Sequence, residues 1–179
     1  MKIYTTKINE SWIIDRIKKE WIQYNKNIVS KIKIFSDIVW IIAPWALDES
    51  NIYKLNKKKV VCSIYHIENI SENSPEIINI KKFDPYIDAY HTISKKTRNE
   101  LIKITKKPVY FIPLWVNQNI WYFINEKEQL REKYDFDNND FLVGSFQRDT
   151  EGKDLVSPKL VKGPDIFIKL IIELYKKNK

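Results

Sequence analysis

Glycine is almost missing from this chain. Its 179 residues contain three, Gly144, Gly152 and Gly163. So few, so spaced, exclude both the G-x-G-x-x-G dinucleotide fingerprint and the Walker phosphate loop. A single cysteine, Cys62, excludes an internal disulfide and a thiolate zinc cluster. No uncharged apolar run approaches the ~18 residues that a membrane-spanning helix needs. The first six residues lack the apolar core and small residues of a signal peptide, so the cytoplasm is the expected compartment. Arginine is scarce as well, with four among the 31 cationic residues.

That last shortage tempers the net charge of +8, set by 31 Lys and Arg against 23 Asp and Glu. The remaining cations are 27 lysines, accompanied by 30 isoleucines and many asparagines, the drift expected of an AT-rich coding sequence. Nucleic-acid binders favour arginine for bidentate phosphate and guanine contacts. Nucleic acid is therefore not the expected partner. Hydrophobic residues at 44% and charged residues at 30% are ordinary for a folded soluble domain and exclude a disordered or fibrous chain. The length fits one domain, or one domain and part of another.

Short apolar runs alternate with amphipathic stretches. Residues 1–8 alternate as a strand would. Ser11 is placed to cap a helix from Trp12 to Tyr24, in which Ile13, Ile14, Ile17, Trp21 and Ile22 recur at helical spacing. Residues 37–43 and 60–65 are continuous apolar runs of the kind found in parallel strands covered on both faces. Residues 68–85 are polar and read as a loop with at most a short helix. Residues 89–93 form a third buried run, and Ser94 then caps a helix from Lys95 to Ile104. Residues 108–113 are a strand bracketed by prolines. A helix is expected from Glu126 to Lys133, a polar turn over 135–140, a strand over 141–146 and a final helix from Pro164 to Lys176. The order predicts an α/β fold with a Rossmann-like parallel sheet over 1–113. A linker and helix follow over 114–140, then the first βα unit of a second Rossmann-like domain over 141–179.

All three glycines fall between residues 144 and 163, in one strand–loop–helix element. A helix N-terminus beyond a strand end offers free N–H groups and a positive dipole end to an anion. Arg148, Lys159 and Lys162 add charge beside it, and Gly144 would permit close approach at the strand end. The combination suits a diphosphate; a solvated loop whose lysines follow from composition is the alternative. His66 follows the run 60–65 and so belongs at the carboxyl end of a strand, either in a ligand crevice or as an ordinary strand-end histidine. Glu68 beside it could act as a base or could be a common loop acid. His91 lies within a strand pattern and reads as structural. Trp40, Trp45, Trp115, Trp121 and Tyr122 offer either an aromatic lip or packing.

These residues resemble the GT-B glycosyltransferases of family 4 (group 1), which have two Rossmann-like domains. Tyr90-His91-Thr92-Ile93-Ser94 with Thr97 and Leu101 resembles the family's "vS..t...L". Ile112-Pro113-Leu114-Trp115-Val116-Asn117 with Phe123 resembles its "IP.GVD...F" crossing, although Trp115 replaces the Gly and Asn117 the Asp. Leu130-Arg131-Glu132-Lys133-Tyr134 resembles the helix entering the donor domain. Residues 141–146, Arg148 and Lys162-Gly163-Pro164-Asp165-Ile166 resemble the first βα unit of that domain. Lys153 competes with Lys162 on spacing.

The resemblance implies a hexosyltransferase-like enzyme that moves a sugar from a nucleoside diphosphate sugar to a hydroxyl acceptor. Arg148, Lys162, Lys159 and Gly144 would bind the donor diphosphate and His66 would serve catalysis. No cofactor and no metal are expected. The family's Gly-rich loop after the first strand is absent, since 7–12 contain no Gly, and so is its later Glu-x7-Glu element. The resemblance therefore implies an incomplete donor domain, completed by a second chain if active. The basic, aromatic helix 12–24 is compatible with peripheral contact on the inner membrane face. Two other classes stay open: a non-catalytic remnant or interaction module that pairs with another chain, and a basic binder of nucleic acid or anionic surfaces.

Overall fold

A computed structural model describes residues 1–6, 13–46, 55, 57–67, 71–146 and 156–177. The chain divides into two compact units, Met1–Gln118 and Asn119–Lys179. In the first unit, β1 (Ile3–Thr5), β2 (Ile38–Ile41), β3 (Lys59–Ile64), β4 (Ala89–Thr92) and β5 (Val109–Phe111) form one sheet. All four strand pairings are parallel. The expected Rossmann-like α/β architecture is present in this unit.

Side-chain alternation decides which helix covers which face. Val39, Ile41, Val60, Cys62 and Tyr90 share one face with Ile77 and Ile80 of α2 (Pro75–Phe83) and Leu101 of α3 (Lys95–Ile104). Trp40 and Tyr65, on the opposite face, pack with Ile13, Ile14 and Ile17 of α1 (Ile13–Tyr24). The Trp21 ring meets Trp40 edge-on, with centroids 5.4 Å apart. The sheet is thus clothed on both sides, which is why its strands are continuous apolar runs rather than alternating ones.

A bridge of one residue explains how the chain reaches both faces. Val29 pairs in parallel with Ile3 on the edge of β1 away from β2. Ile3 donates its N–H to the Ile28 carbonyl at 2.7 Å, and Ser30 donates to the Ile3 carbonyl at 2.8 Å. The chain leaves β1, passes through α1 to this bridge, and then crosses back over β1 to begin β2. The direction of winding reverses there, so a topological switch point lies between β1 and β2. Residues 27–30 are too short to carry a period, so the bridge leaves no mark in the sequence pattern.

α3 begins and ends where expected, since Ser94 Oγ accepts the Thr97 N–H at 3.0 Å. The Thr97 hydroxyl in turn donates to the Tyr65 carbonyl at 3.2 Å and ties the cap to the end of β3. Ser94→Ala is expected to cost about 1 kcal/mol, the usual value of such a cap, read as a lower urea midpoint at unchanged slope. α2 is longer than the short helix allowed for 68–85. Its start is marked by Ser74, whose hydroxyl accepts the Ile77 N–H at 3.3 Å, and by Pro75 in the first turn.

The second unit holds α4 (Lys127–Lys133) and α5 (Pro164–Lys177). The expected strand over 141–146 is not formed: those residues join no ladder. A lone strand has no neighbour to satisfy its backbone or cover its side chains, so apolar content is insufficient to make one. Phe141 and Phe146 are accordingly almost wholly exposed. Among the described residues this unit is therefore not a βα unit, contrary to expectation. No helix among the described residues is long and apolar enough to cross a membrane.

Candidate functional site

Ligands of doubly wound sheets bind beyond the carboxyl ends of the strands, at the switch point. Here that places attention on the ends of β1 and β2. Thr6 Oγ1 accepts the Ile42 N–H at 3.3 Å, and Lys18 of α1 donates its ammonium to the Thr6 carbonyl at 2.8 Å. Lys18 is thus anchored at the end of β1, not turned outward as the helical pattern alone suggests. Tyr65, just past β3, donates its hydroxyl to the Ile42 carbonyl at 2.9 Å. Burial pushes that phenol up to about 12, so Tyr65 serves there as a neutral donor.

A pocket of about 300 Å³ opens at this end, between the sheet and α2. Pro44, Trp45, Tyr65, His66, Glu76 and Asn79 line its upper part, above Ile64, Ile80, Phe83 and Ile87. His66 is exposed on the rim, at the strand end where the sequence puts it. Trp45, 53% exposed, lies 6.0 Å from the Tyr65 ring at a tilt of 57°. Of the five aromatics in question, Trp45 is the one on this pocket; Trp40 packs on α1, and Trp121 and Tyr122 are exposed in the second unit. Glu76 and Asn79 were not anticipated. They stand three residues apart on α2, on the side that carries Ile80 and Phe83. Cys62 at the pocket floor is buried, and desolvation pushes its thiol up to about 12, consistent with an inert apolar role.

A larger hollow of about 530 Å³ lies at the opposite, amino end of the strands, lined by Lys57, Lys58, Lys59 and Lys107 with Asp37 and Asp88. Two features count against it as an anion site. The carboxyl ends of α2 and α3 point towards it, the negative ends of their dipoles. Two of its four lysines are also engaged: Lys58 donates to the Ile34 and Ser36 carbonyls, and Lys59 pairs with Asp88 at 3.1 Å.

In the second unit, Lys159 and Lys162 flank a tight turn: the Lys162 N–H bonds the Lys159 carbonyl at 2.9 Å. Gly163 follows at φ 68°, a left-handed conformation that glycine adopts without strain, and Pro164 opens α5. Lys162 is thus two residues ahead of the positive end of a 14-residue helix. Gly144 does not sit at a strand end. A Cβ there would meet only the exposed Phe146 ring, at 2.8 Å, so nothing in its conformation calls for glycine. Arg148, Lys153 and Glu68 lie outside the described residues.

His91 is structural, as its position in a strand suggests. Its Nδ1 lies 2.8 Å from Ser63 Oγ and its Nε2 2.8 Å from the Ile112 carbonyl. The carbonyl can only accept, so Nε2 carries the proton and Nδ1 accepts from the Ser63 hydroxyl. Ser63 Oγ in turn accepts the Trp40 indole N–H at 2.8 Å.

Trp115 and Asn117, where the resembling family has Gly and Asp, work as a pair. Trp115 Nε1 donates to Glu20 Oε2 at 2.7 Å and Asn117 Nδ2 to Glu20 Oε1 at 3.0 Å. Trp115 is not in the left-handed region; among the described non-glycine residues only Asp135 is. Glu20 thus holds both side chains of this segment against α1.

No protein-family model, curated protein or solved structure matches this chain.

Proposed function

We propose that this protein is a GT-B glycosyltransferase related to family 4, moving a sugar from a nucleoside diphosphate sugar to a hydroxyl acceptor. The observation that carries the reading is the place of His66, on the rim of a pocket at the carboxyl end of a doubly wound parallel sheet. In the reaction the acceptor oxygen bonds to the anomeric carbon while the bond from that carbon to the diphosphate breaks. The hydroxyl proton passes to solvent water and the departing diphosphate takes up negative charge. Lys162 and Lys159, with the N-terminus of α5 and Arg148, would stabilise that charge, which is commonly the largest catalytic term. His66 would hydrogen-bond a hydroxyl at the reacting centre. Gly144 drops out of the diphosphate set, since it has no strand end to open.

Isothermal titration with UDP and GDP tests this. Binding is expected, weakened about tenfold or more by Lys162→Ala and by Arg148→Ala, the loss of a charge-assisted phosphate contact. Absence of binding at about millimolar nucleotide, a free energy near −4 kcal/mol, would remove the reading.

One observation favours a second reading, a module that pairs with another chain. Ile166, Ile168, Leu170 and Ile172 of α5 are all exposed, so the helix presents apolar side chains without covering them. A chain that binds no nucleotide leaves this reading in place.

A further inference from the structure

We infer that the turn between the Val29 bridge and β2 docks this protein on an anionic lipid bilayer, inserting Ile32, Ile34 and Phe35 beneath the headgroups. These side chains are 56%, 71% and 71% exposed. Single exposed apolar residues are ordinary on any surface, whereas three within four successive positions form a patch. Lys33–Phe35 is a tight 3₁₀ turn, in which residues three apart eclipse, so Ile32 and Phe35 project on one side.

The turn is also built as a membrane-entering segment must be. Beneath the headgroups no water satisfies the backbone, so carbonyls need donors from the protein. The Ile32 carbonyl accepts the Ser30 hydroxyl at 2.8 Å and the Phe35 N–H at 3.2 Å. The Lys33 carbonyl accepts the Ser36 hydroxyl at 2.7 Å and the Ser36 N–H at 3.1 Å. The Lys58 ammonium donates to the Ile34 carbonyl at 2.9 Å and to the Ser36 carbonyl as well. Ser36 itself is buried and anchors the turn to the sheet. The apolar side chains are thus held outward on a backbone whose carbonyls here need no water.

Charge decides which surface they meet. Lys31 and Lys33 flank Ile32, and Lys57 adjoins the Lys58 that clamps the turn. The acids near by are matched already. Asp37 accepts the Lys2 backbone N–H at 2.6 Å and lies 3.7 Å from the N-terminal ammonium, and Asp88 pairs with Lys59. A cationic surplus around an apolar wedge is the complement of anionic headgroups over acyl chains. Nucleic acid would engage the lysines and leave the wedge in water. A second copy of the chain would bring Lys31 and Lys33 against themselves. The turn lies at the amino end of the strands, away from the His66 rim, so the inference does not rest on the transferase reading.

Co-sedimentation of the whole chain with vesicles tests it, using phosphatidylcholine alone and phosphatidylcholine with about 30% phosphatidylserine, at about 0.1 M salt. Binding to the anionic vesicles is expected. It should be at least about tenfold weaker in Ile34→Ser/Phe35→Ser and in Lys31→Gln/Lys33→Gln. All four positions are outside the core, and far-UV circular dichroism verifies that both variants fold. A fluorophore that brightens in apolar surroundings, attached through Phe35→Cys, should respond to these vesicles. The same probe attached through Lys96→Cys, exposed at the other end of the sheet, should not respond. Cys62 is buried and takes no label. No binding to anionic vesicles overturns the inference, as does binding indifferent to Ile34→Ser/Phe35→Ser, or a response at 96 without one at 35. Binding to duplex DNA but not to vesicles also overturns it and assigns the lysines to nucleic acid. Nucleotide titration and vesicle binding each succeed or fail alone, so the two readings are tested separately.

Discussion

Glu20→Ala should destabilise the first unit by about 3 kcal/mol, measured by urea unfolding at neutral pH. Glu20 is 5% exposed on α1 and receives the Trp115 and Asn117 N–H groups. Arg16, one turn earlier, approaches at 3.8 Å. Hydrogen bonds to a charged group contribute ~1.5–3 kcal/mol each, and breaking a buried pair from one side costs ~3–5 kcal/mol. The lower end applies because Arg16 is partly in water and loses less. The acid limb provides a separate test. The Asn117 amide, the Trp115 indole and the Arg16 charge hold the Glu20 carboxyl below its ordinary 4.5, against the opposing pull of burial. A carboxyl lowered by folding stabilises fully above its unfolded value, and that contribution disappears as pH falls through the folded value. The wild-type advantage over Glu20→Gln should therefore be constant above pH 4.5 and shrink below it. An advantage equal at roughly pH 3 and pH 7 would show that the carboxylate's charge is irrelevant.

The same carboxylate shows why some of this structure could be read from sequence and some could not. Local rules fix β2, β3, β4 and α3. An apolar run of strand length between turn residues admits few readings, and Ser94 three residues before Thr97 is a cap wherever it stands. Non-local partnerships are invisible to such rules. Glu20 looks like one more acid on a solvated helix face, and its donors lie about a hundred residues later. The Val29 bridge is set by the edge of β1 and not by residues 27–30, so the switch point was unreadable. The difference over 141–146 has the opposite sign, since the residues suit a strand and no neighbour stands beside them among the described residues. In the site, His66 was legible as a strand-end residue. Glu76 and Asn79 were not, because their shared side of α2 exists only once that helix does.

Ser63→Ala is expected to cost about 2 kcal/mol, although it removes one oxygen and leaves no large cavity. Ser63 is fully buried and is the middle of a polar chain over one face of the sheet. Trp40 on β2 donates to it, it donates to His91 on β4, and His91 donates to the Ile112 carbonyl beyond β5. In a parallel sheet the backbone pairs each strand only with its neighbours, whereas this chain links β2 to the end of β5 through side chains. Alanine leaves the Trp40 N–H and His91 Nδ1 without partners, at ~1–3 kcal/mol for each buried unsatisfied group. Trp40 and His91 are half-buried, so water relieves part of that and the lower end of each range applies. A double-mutant cycle separates this chain from simple packing. His91→Phe removes the orphaned acceptor, so Ser63→Ala should cost about 1 kcal/mol less in that background than in the wild type. Strict additivity of the two substitutions would mean that Ser63 and His91 are neighbours without a shared bond, and the sheet would then owe its lateral order to the backbone ladders alone.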